Sequence, residues 1–304
     1  MRRALRLAWA AALIALFVWA FGSAHVAGRL KEANPEWIAL AVTCLLAQTV
    51  AMALRWRLVA QCLDIRFPVG WAIREYLVSQ LANTTLPGGV VGDGARAVRS
   101  QVGPGGLKRA AQAVLFERAF GQVGLLAVGI AGLTSAIAAP GPLDWPAPLV
   151  RGIAITGLVA ALLAGAGVIA LRGGRITALV ARCLPNGRVR VIHAALSIIA
   201  ALLNVAAFAA CARAAGVVLS VQAIFVVIPL ILTAMVIPLT VAGWGWREGA
   251  AAALFPLAGA SASAGVAASI LFGITMMISV LPAVPFLLQR SPRSLRDSNA
   301  PEPG

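Results

Sequence analysis

Charge is scarce in this 304-residue chain: Asp, Glu, Lys and Arg together make up 12% of it, against about a quarter in an ordinary soluble domain. Hydrophobic residues reach 61% and the mean hydropathy is +0.91. That shortage excludes a soluble domain carried on one anchor and predicts a multi-span membrane protein. Long polar stretches are also missing, so the chain reads as one polytopic membrane domain over residues 1–289. The tail, 290–304, contains Pro, Ser and Asp and ends Pro-Glu-Pro-Gly; it is expected to be cytoplasmic and disordered.

Reactive and metal-binding residues are few. Cys44, Cys62, Cys183 and Cys211 show neither CxxC nor ligand spacing, and read as small buried apolar residues. His25 and His193, the two histidines, fall near span ends and read as interfacial residues. No metal site or cofactor is expected. No GxxxxGK[ST] is present, so ATP hydrolysis by a P-loop is excluded.

What charge there is has a pattern. The formal net charge is +15, and 19 of the 25 Lys and Arg residues fall into five clusters. These lie at Arg2–Arg6, Arg55–Arg74, Arg96–Arg109, Arg172–Arg190 and Arg290–Arg296. Such clustering is the positive-inside signature rather than a nucleic-acid surface. It also suits anionic lipid head groups on the cytoplasmic side. Arg118 and Arg247 stand apart from the clusters, inside or against apolar segments.

Walking the chain with this rule, and with about 20 apolar residues per crossing, predicts spans at Leu7–Ala27, Trp37–Leu54, Ala111–Ala138, Val150–Leu171, Val191–Ala212 and Val266–Leu288. Gly28–Glu36, the four-proline stretch Ala139–Leu149 and Arg213–Ser220 become outer loops, and Arg172–Arg190 an inner loop. Pro35 suits the start of a helix. Both termini are expected in the cytoplasm, in a bacterial inner membrane. Tyr76–Gly92 is different: it holds Gln80, Asn83, Thr84, Thr85, Pro87 and three glycines between two basic clusters. Crossing would put one cluster outside, so a re-entrant segment is expected, of a kind tolerated where protein buries it or it lines a wet cavity.

The chain also repeats itself. Pro87-Gly88-Gly89-Val-Val-Gly92-Asp93-Gly94-Ala-Arg96 and Pro238-Leu-Thr-Val-Ala-Gly243-Trp244-Gly245-Trp246-Arg247 both fit P-x4-G-x-G-x-R, at an offset of 151. Aligning the halves pairs spans one with four, two with five, and three with the last. Tyr76–Gly92 pairs with Val227–Gly243. The second half starts on the opposite side of the membrane. The expected fold is therefore all-α, with about six full spans and two broken or re-entrant segments. They form two inverted-topology repeats, about 7–138 and 150–288. Paired Pro/Gly breaks point to a transporter's binding site.

These segments resemble a known family. Leu86–Arg96, Leu115–Gly121 (LFERAFG) and Pro238–Gly249 are similar, in order, to three motifs of the lysylphosphatidylglycerol synthase transmembrane region, also called flippase-like. The resemblance runs from about residue 7 to 289. Two departures stand out: Asp93 replaces the usual Glu, and Gly121 or Gln122 occupies the place of a frequent Asp. The resemblance implies a membrane protein that moves or handles lipids. The soluble aminoacyltransferase domain that follows in full-length synthases is not in this sequence, so no synthase activity is expected from this chain alone.

The expected binding residues are Arg96, Arg247, Arg99, Glu117, Arg118, Glu248, Asp93 and Asn83. The expected backbone breaks are Pro87, Gly88, Gly89, Gly92, Gly94, Pro238, Gly243 and Gly245. An anionic head group needs donors and positive charge at depth, because a bare charge in hydrocarbon costs several kcal/mol or more. Free N–H groups at broken helices and an Arg fork supply both; Glu117 and Arg118 would shape the cavity. Each residue has a plainer reading. Arg96 and Arg99 suit cytoplasmic anchors, Glu117-Arg118 and Arg247-Glu248 local ion pairs, and Asp93 a helix cap. Asn83, Thr84 and Thr85 suit partners for freed backbone groups, and Trp244 and Trp246 interfacial anchors. The reading is a non-enzymatic lipid flippase for an anionic or zwitterionic lipid or lipid-linked precursor. It has no nucleic-acid partner and is open to oligomerisation. Two alternatives stand: a membrane enzyme on lipid-linked substrates, and a non-transporting partner of a lipid-synthesis complex.

Overall fold

A computed structural model describes residues 23–86, 89–102, 105–138, 174–235 and 243–288. All regular elements among them are helical: α1 Ser23–Lys31, α2 Pro35–Cys62, α3 Val69–Thr85, α4 Val91–Arg99, α5 Gly106–Ala138, α6 Arg175–Cys183, α7 Gly187–Ala214, α8 Val221–Ala234, α9 Trp246–Leu254, α10 Ala262–Ser279 and α11 Val284–Leu288. Short 3-10 turns, Phe255–Ala258 and Leu281–Ala283, flank α10. Four stretches are long and apolar enough to cross a membrane: Pro35–Cys62, Gly106–Ala138, Gly187–Ala214 and Ala262–Phe286. Most of expected span one, all of span four, the loop Ala139–Leu149, Pro87, Gly88, Pro238 and the tail lie outside the described residues.

The helices start where their caps dictate. Asn34 accepts from the Glu36 N–H with Pro35 at the first position of α2; Asn186 accepts from the Val189 N–H, Ser220 from Ala223 and Ser261 from Ala264. Each side-chain oxygen satisfies a donor that no preceding turn can reach.

Packing relies on small residues, as expected where lipid weakens the hydrophobic drive between helices. The most extensive pairing joins α2 to α7. They run antiparallel: Asn34 before α2 donates its N–H to Ala214 O at the end of α7, and Arg55 late in α2 reaches Ser197 early in α7. Helix α5 sets Gly124 and Gly132 against the carbonyls of Ser197 and Phe225, so close that a Cβ there would lie 2.6 and 2.3 Å from those oxygens. Gly265 of α10 meets the Ala251 carbonyl of α9 in the same way. Two apolar clusters result, one built on Phe208, Phe255 and Phe272, the other on Trp56, Phe67 and Tyr76.

The first odd segment is bent. Helices α3 and α4 fold back on each other as a hairpin: Arg99 pairs with Glu75, Asp93 with Ser79, and the Gly92 N–H with Asn83 Oδ1 at 2.8 Å nearest the bend. Gly89, in the bend, has φ +62°. In the second half, α8 and α9 pack against each other beside Gly243 and Gly245, whose φ values are +77° and +93°. A side chain at such φ is strained, which is why glycine stands at these turns.

Several sequence expectations need correction. Gly28–Glu36 is not all loop, because α1 continues to Lys31 and α2 begins at Pro35. The second span does not stop at Leu54; α2 runs on to Cys62, since Arg55 finds a carboxylate inside the bundle and need not end the helix in water. Arg172–Arg190 contains α6 and the start of α7. The last apolar stretch is interrupted after Ser279 by a turn at Pro282. His193 is not interfacial: it is buried in the bundle, its ring centroid 5.2 Å from that of Phe120.

Candidate functional site

A cavity of about 710 Å³ opens between α2, α3, α4, α5, α7, α8 and α10, a size within the usual range for small-molecule sites. It touches both motif segments, through Gly89, Val90 and Gly94 in the first and Met235 and Gly243 in the second. Most of its wall is apolar. Its amides are Gln48, Gln80, Asn83, Gln122 and Asn204, and its charged residues are Arg55, Asp93, Glu117 and Arg118.

The charges form one chain of contacts. Glu117, fully buried on α5, accepts from Arg55 Nη2 at 2.6 Å and Arg96 Nη2 at 3.4 Å, and from the Tyr76 hydroxyl at 3.1 Å. Asp93 accepts from Arg96 at 3.0 Å, from Ser79 at 3.2 Å and from Arg118 at 2.6 Å. Three guanidinium groups therefore meet two carboxylates, leaving one formal positive charge. Buried carboxylates of this kind are stable only when paired and hydrogen-bonded on most of their lone pairs.

Local sequence explains each placement. Arg96 sits on α4 three residues after Asp93, so both lie on one helix face. Its guanidinium lies between Trp56 and Tyr76, 4.5 and 4.3 Å from the ring centroids, and is fully buried. Such stacking favours arginine, whose flat cation is weakly hydrated. Gly121 gives Arg55 its space; a Cβ there would lie 2.8 Å from Arg55 Nη2.

The second half has its own cluster. Arg247 is fully buried and donates to Glu248 Oε1 at 2.7 Å and to Ser269 Oγ at 2.8 Å. It lies over Trp244 and Phe272. Glu248 also reaches back to the Gly245 N–H at 2.6 Å, holding the start of α9. Gly273 makes room: a Cβ there would come within 2.6 Å of Arg247 Nη2.

The structure brings Arg96, Asp93, Glu117 and Arg118 together, with Asn83 one turn of the hairpin away. It keeps Arg247 and Glu248 in a separate pair. Neither Arg96 nor Arg247 lines the cavity; of the cations that do, Arg118 is the open one, its side chain 47% exposed. Glu117 and Arg118 do not pair with each other: Glu117 meets Arg55 and Arg96, and Arg118 meets Asp93. Asp93 does not cap α4, whose N-cap is Val90; its carboxylate is spent on Arg96, Arg118 and Ser79. Arg99 pairs with Glu75 on the hairpin and lies off the cavity wall. Trp246 is exposed, whereas Trp244 covers Arg247.

Sequence reasoning missed Arg55, Glu75 and Tyr76. Arg55 falls in the cytoplasmic cluster by sequence, but it lies in helical register with Thr49, Trp56 and Val59, and that spacing marks the buried face. Among the described residues, no group of His, Cys, Asp and Glu could hold a metal ion, and the four cysteines are free.

No curated protein matches this chain. The family described as the lysylphosphatidylglycerol synthase TM region matches residues 3–283. The apolar helices and the clustered motif residues agree with that match: the chain belongs to this family of multi-pass membrane proteins, whose membership suggests the handling of lipids.

Proposed function

We propose that the chain is a flippase-like protein of the bacterial inner membrane. It takes the head group of an anionic or zwitterionic lipid, or lipid-linked precursor, into the cavity between its two halves. The observation that carries this reading is the cavity itself: largely apolar, in reach of both motif segments, and bearing an open arginine in a charge cluster that, with Arg96 behind the wall, has one surplus positive charge. A head group entering it exchanges water for fixed donors, as a buried charge requires.

The reading includes two inverted repeats with re-entrant hairpins. The packing supports it: α4 lies on α5 as α9 lies on α10, and α5 lies on α7 as α10 lies on α2. Glu117 and Gly121 of α5 stand 152 positions before Ser269 and Gly273 of α10. Glu117 receives Arg96, and Ser269 receives Arg247. In the first half the balancing carboxylates are Asp93 on the same helix and Glu117 on the neighbouring one, and in the second Glu248 beside the arginine. In this reading Arg96 and Arg247 act from behind the wall, holding the hairpins, while Arg118 meets the head group. Both termini lie in the cytoplasm, and movement is down-gradient or ion-coupled.

The test is translocation of labelled lipids in proteoliposomes containing purified protein. A Cβ at Gly94 meets nothing within 4 Å, so Gly94→Trp should fill the cavity without breaking the hairpin. Loss of translocation, with insertion and thermal stability kept, is the expected result; an unchanged rate overturns the reading.

A further inference from the structure

The hydrogen-bonding capacity of the cavity is lopsided. Both oxygens of Glu117 are engaged, by Arg55, Arg96 and Tyr76. Both oxygens of Asp93 are engaged, by Ser79 and Arg96 on one and Arg118 on the other. The same holds for two of the amides. Gln80 Oε1 accepts from Thr49 Oγ1 at 2.8 Å, and Asn83 Oδ1 accepts from the Gly92 N–H at 2.8 Å. Gln48, Gln122 and Asn204 each bring both an oxygen and an NH2 group, so the charged groups set the balance. Asn83 is 8% exposed and its Nδ2 has no partner. That nitrogen itself has essentially no open surface. Arg118 adds a half-exposed guanidinium, with Gln122 one turn further along the same face of α5.

We infer that the cavity selects a head group of net negative charge that is rich in acceptor oxygens, a phosphate or phosphodiester, and disfavours head groups of net positive charge. The inference rests on the reading of the cavity as a lipid head-group site and narrows it. An ammonium group has three donors and no acceptor. Here it would face Arg118 and the cluster's surplus positive charge, with both carboxylates already committed. A phosphodiester oxygen meets the opposite situation: Arg118 can bind it with charge assistance. Zwitterionic heads fall between, since their phosphate is accepted and their ammonium is not.

The experiment is direct lipid binding to the purified full-length protein in detergent, read by native mass spectrometry. The probes are phosphatidylglycerol, a polyprenyl phosphate, phosphatidylcholine and lysyl-phosphatidylglycerol. The first two distinguish a glycerol phosphodiester from an isoprenoid phosphomonoester, and stronger retention of either one supports the proposal. Both anionic probes should bind at least about tenfold more tightly than the lysylated lipid. Gln122→Glu changes little in shape and places a carboxylate beside Arg118. It should erase that preference while leaving the melting temperature unchanged. Arg118→Gln should do the same, and the Gln122 variant covers the case in which losing the Asp93 contact unfolds the hairpin. Equal or tighter binding of lysyl-phosphatidylglycerol overturns the inference but leaves a lipid site in place. Binding of no probe overturns both. Anionic preference without translocation in proteoliposomes keeps the inference and removes the flippase reading.

Discussion

Arg55 Nη2 and Glu117 Oε1 lie 2.6 Å apart, joining α2 to α5 with 2% and 0% of their side chains exposed. Removing one partner strands the other charge where water cannot reach it. Glu117→Ala is therefore expected to destabilise the protein by about 3–5 kcal/mol. Adding Arg55→Met should recover part of that loss, because the stranded cation is removed too. Unfolding midpoints of the single and double variants in detergent check this; additive losses would argue that the two residues act independently.

Gly92 and Gly94 make a controlled pair on α4. A Cβ at Gly92 would lie 2.0 Å from the Ser79 carbonyl oxygen, and one at Gly94 meets nothing within 4 Å. Gly92→Ala should force α3 and α4 apart and cost about 1–3 kcal/mol or more. Gly94→Ala should be neutral, or stabilising by up to about 1 kcal/mol through helix propensity. Thermal melts of the two variants compare them directly.

Gly273 faces both Arg247 Nη2 and the Trp244 ring, within 2.6 and 2.5 Å of a built Cβ. Gly121 faces only the Arg55 guanidinium, at 2.8 Å from its nearest atom. A guanidinium can swing aside; an indole ring packed over Arg247 cannot do so easily. Gly273→Ala should lower the melting temperature more than Gly121→Ala does.

Arg118 and Arg96 differ in access, 47% against full burial. In a background with the four native cysteines replaced, Arg118→Cys should react with a water-soluble thiol reagent. Arg96→Cys should stay protected until the protein is denatured. Equal labelling of both would contradict the cavity described above.

The native Cys183 offers a pH test. Burial pushes its thiol up to about 11, and the neighbouring Cys62 adds to the shift. A raised value means less thiolate at neutral pH, so maleimide labelling of Cys183 should be slow at pH 7 and accelerate as pH climbs toward 11. Rapid labelling at pH 7 in the folded protein would show that the end of α6 is open.

Much of the architecture was legible in the residues. Apolar length placed the helices α2, α5, α7 and α10, since about 20 apolar residues are needed to cross a bilayer and few other contexts favour them. Pro35 at the start of α2 followed from its fixed φ and missing N–H. Of the glycines expected as breaks, Gly89, Gly243 and Gly245 take a positive φ that only glycine adopts without strain, whereas Gly92 and Gly94 lie inside α4 and break nothing. The helical ends were less legible. The charge of Arg55 suggested water and hid the helix that carries on to Cys62.

The sequence by itself determined an all-helical, multi-pass membrane chain with positive-φ glycines in its motif segments and a family. These follow from composition and from local backbone chemistry, which each residue carries wherever it is placed. Only the tertiary structure decided which charges are buried partners and which one is open. It put Arg96 behind the aromatic rings, Arg118 on the cavity wall, and Arg55 against Glu117. Coulombic pairing depends on distances between side chains far apart in the chain, and folding alone brings them together.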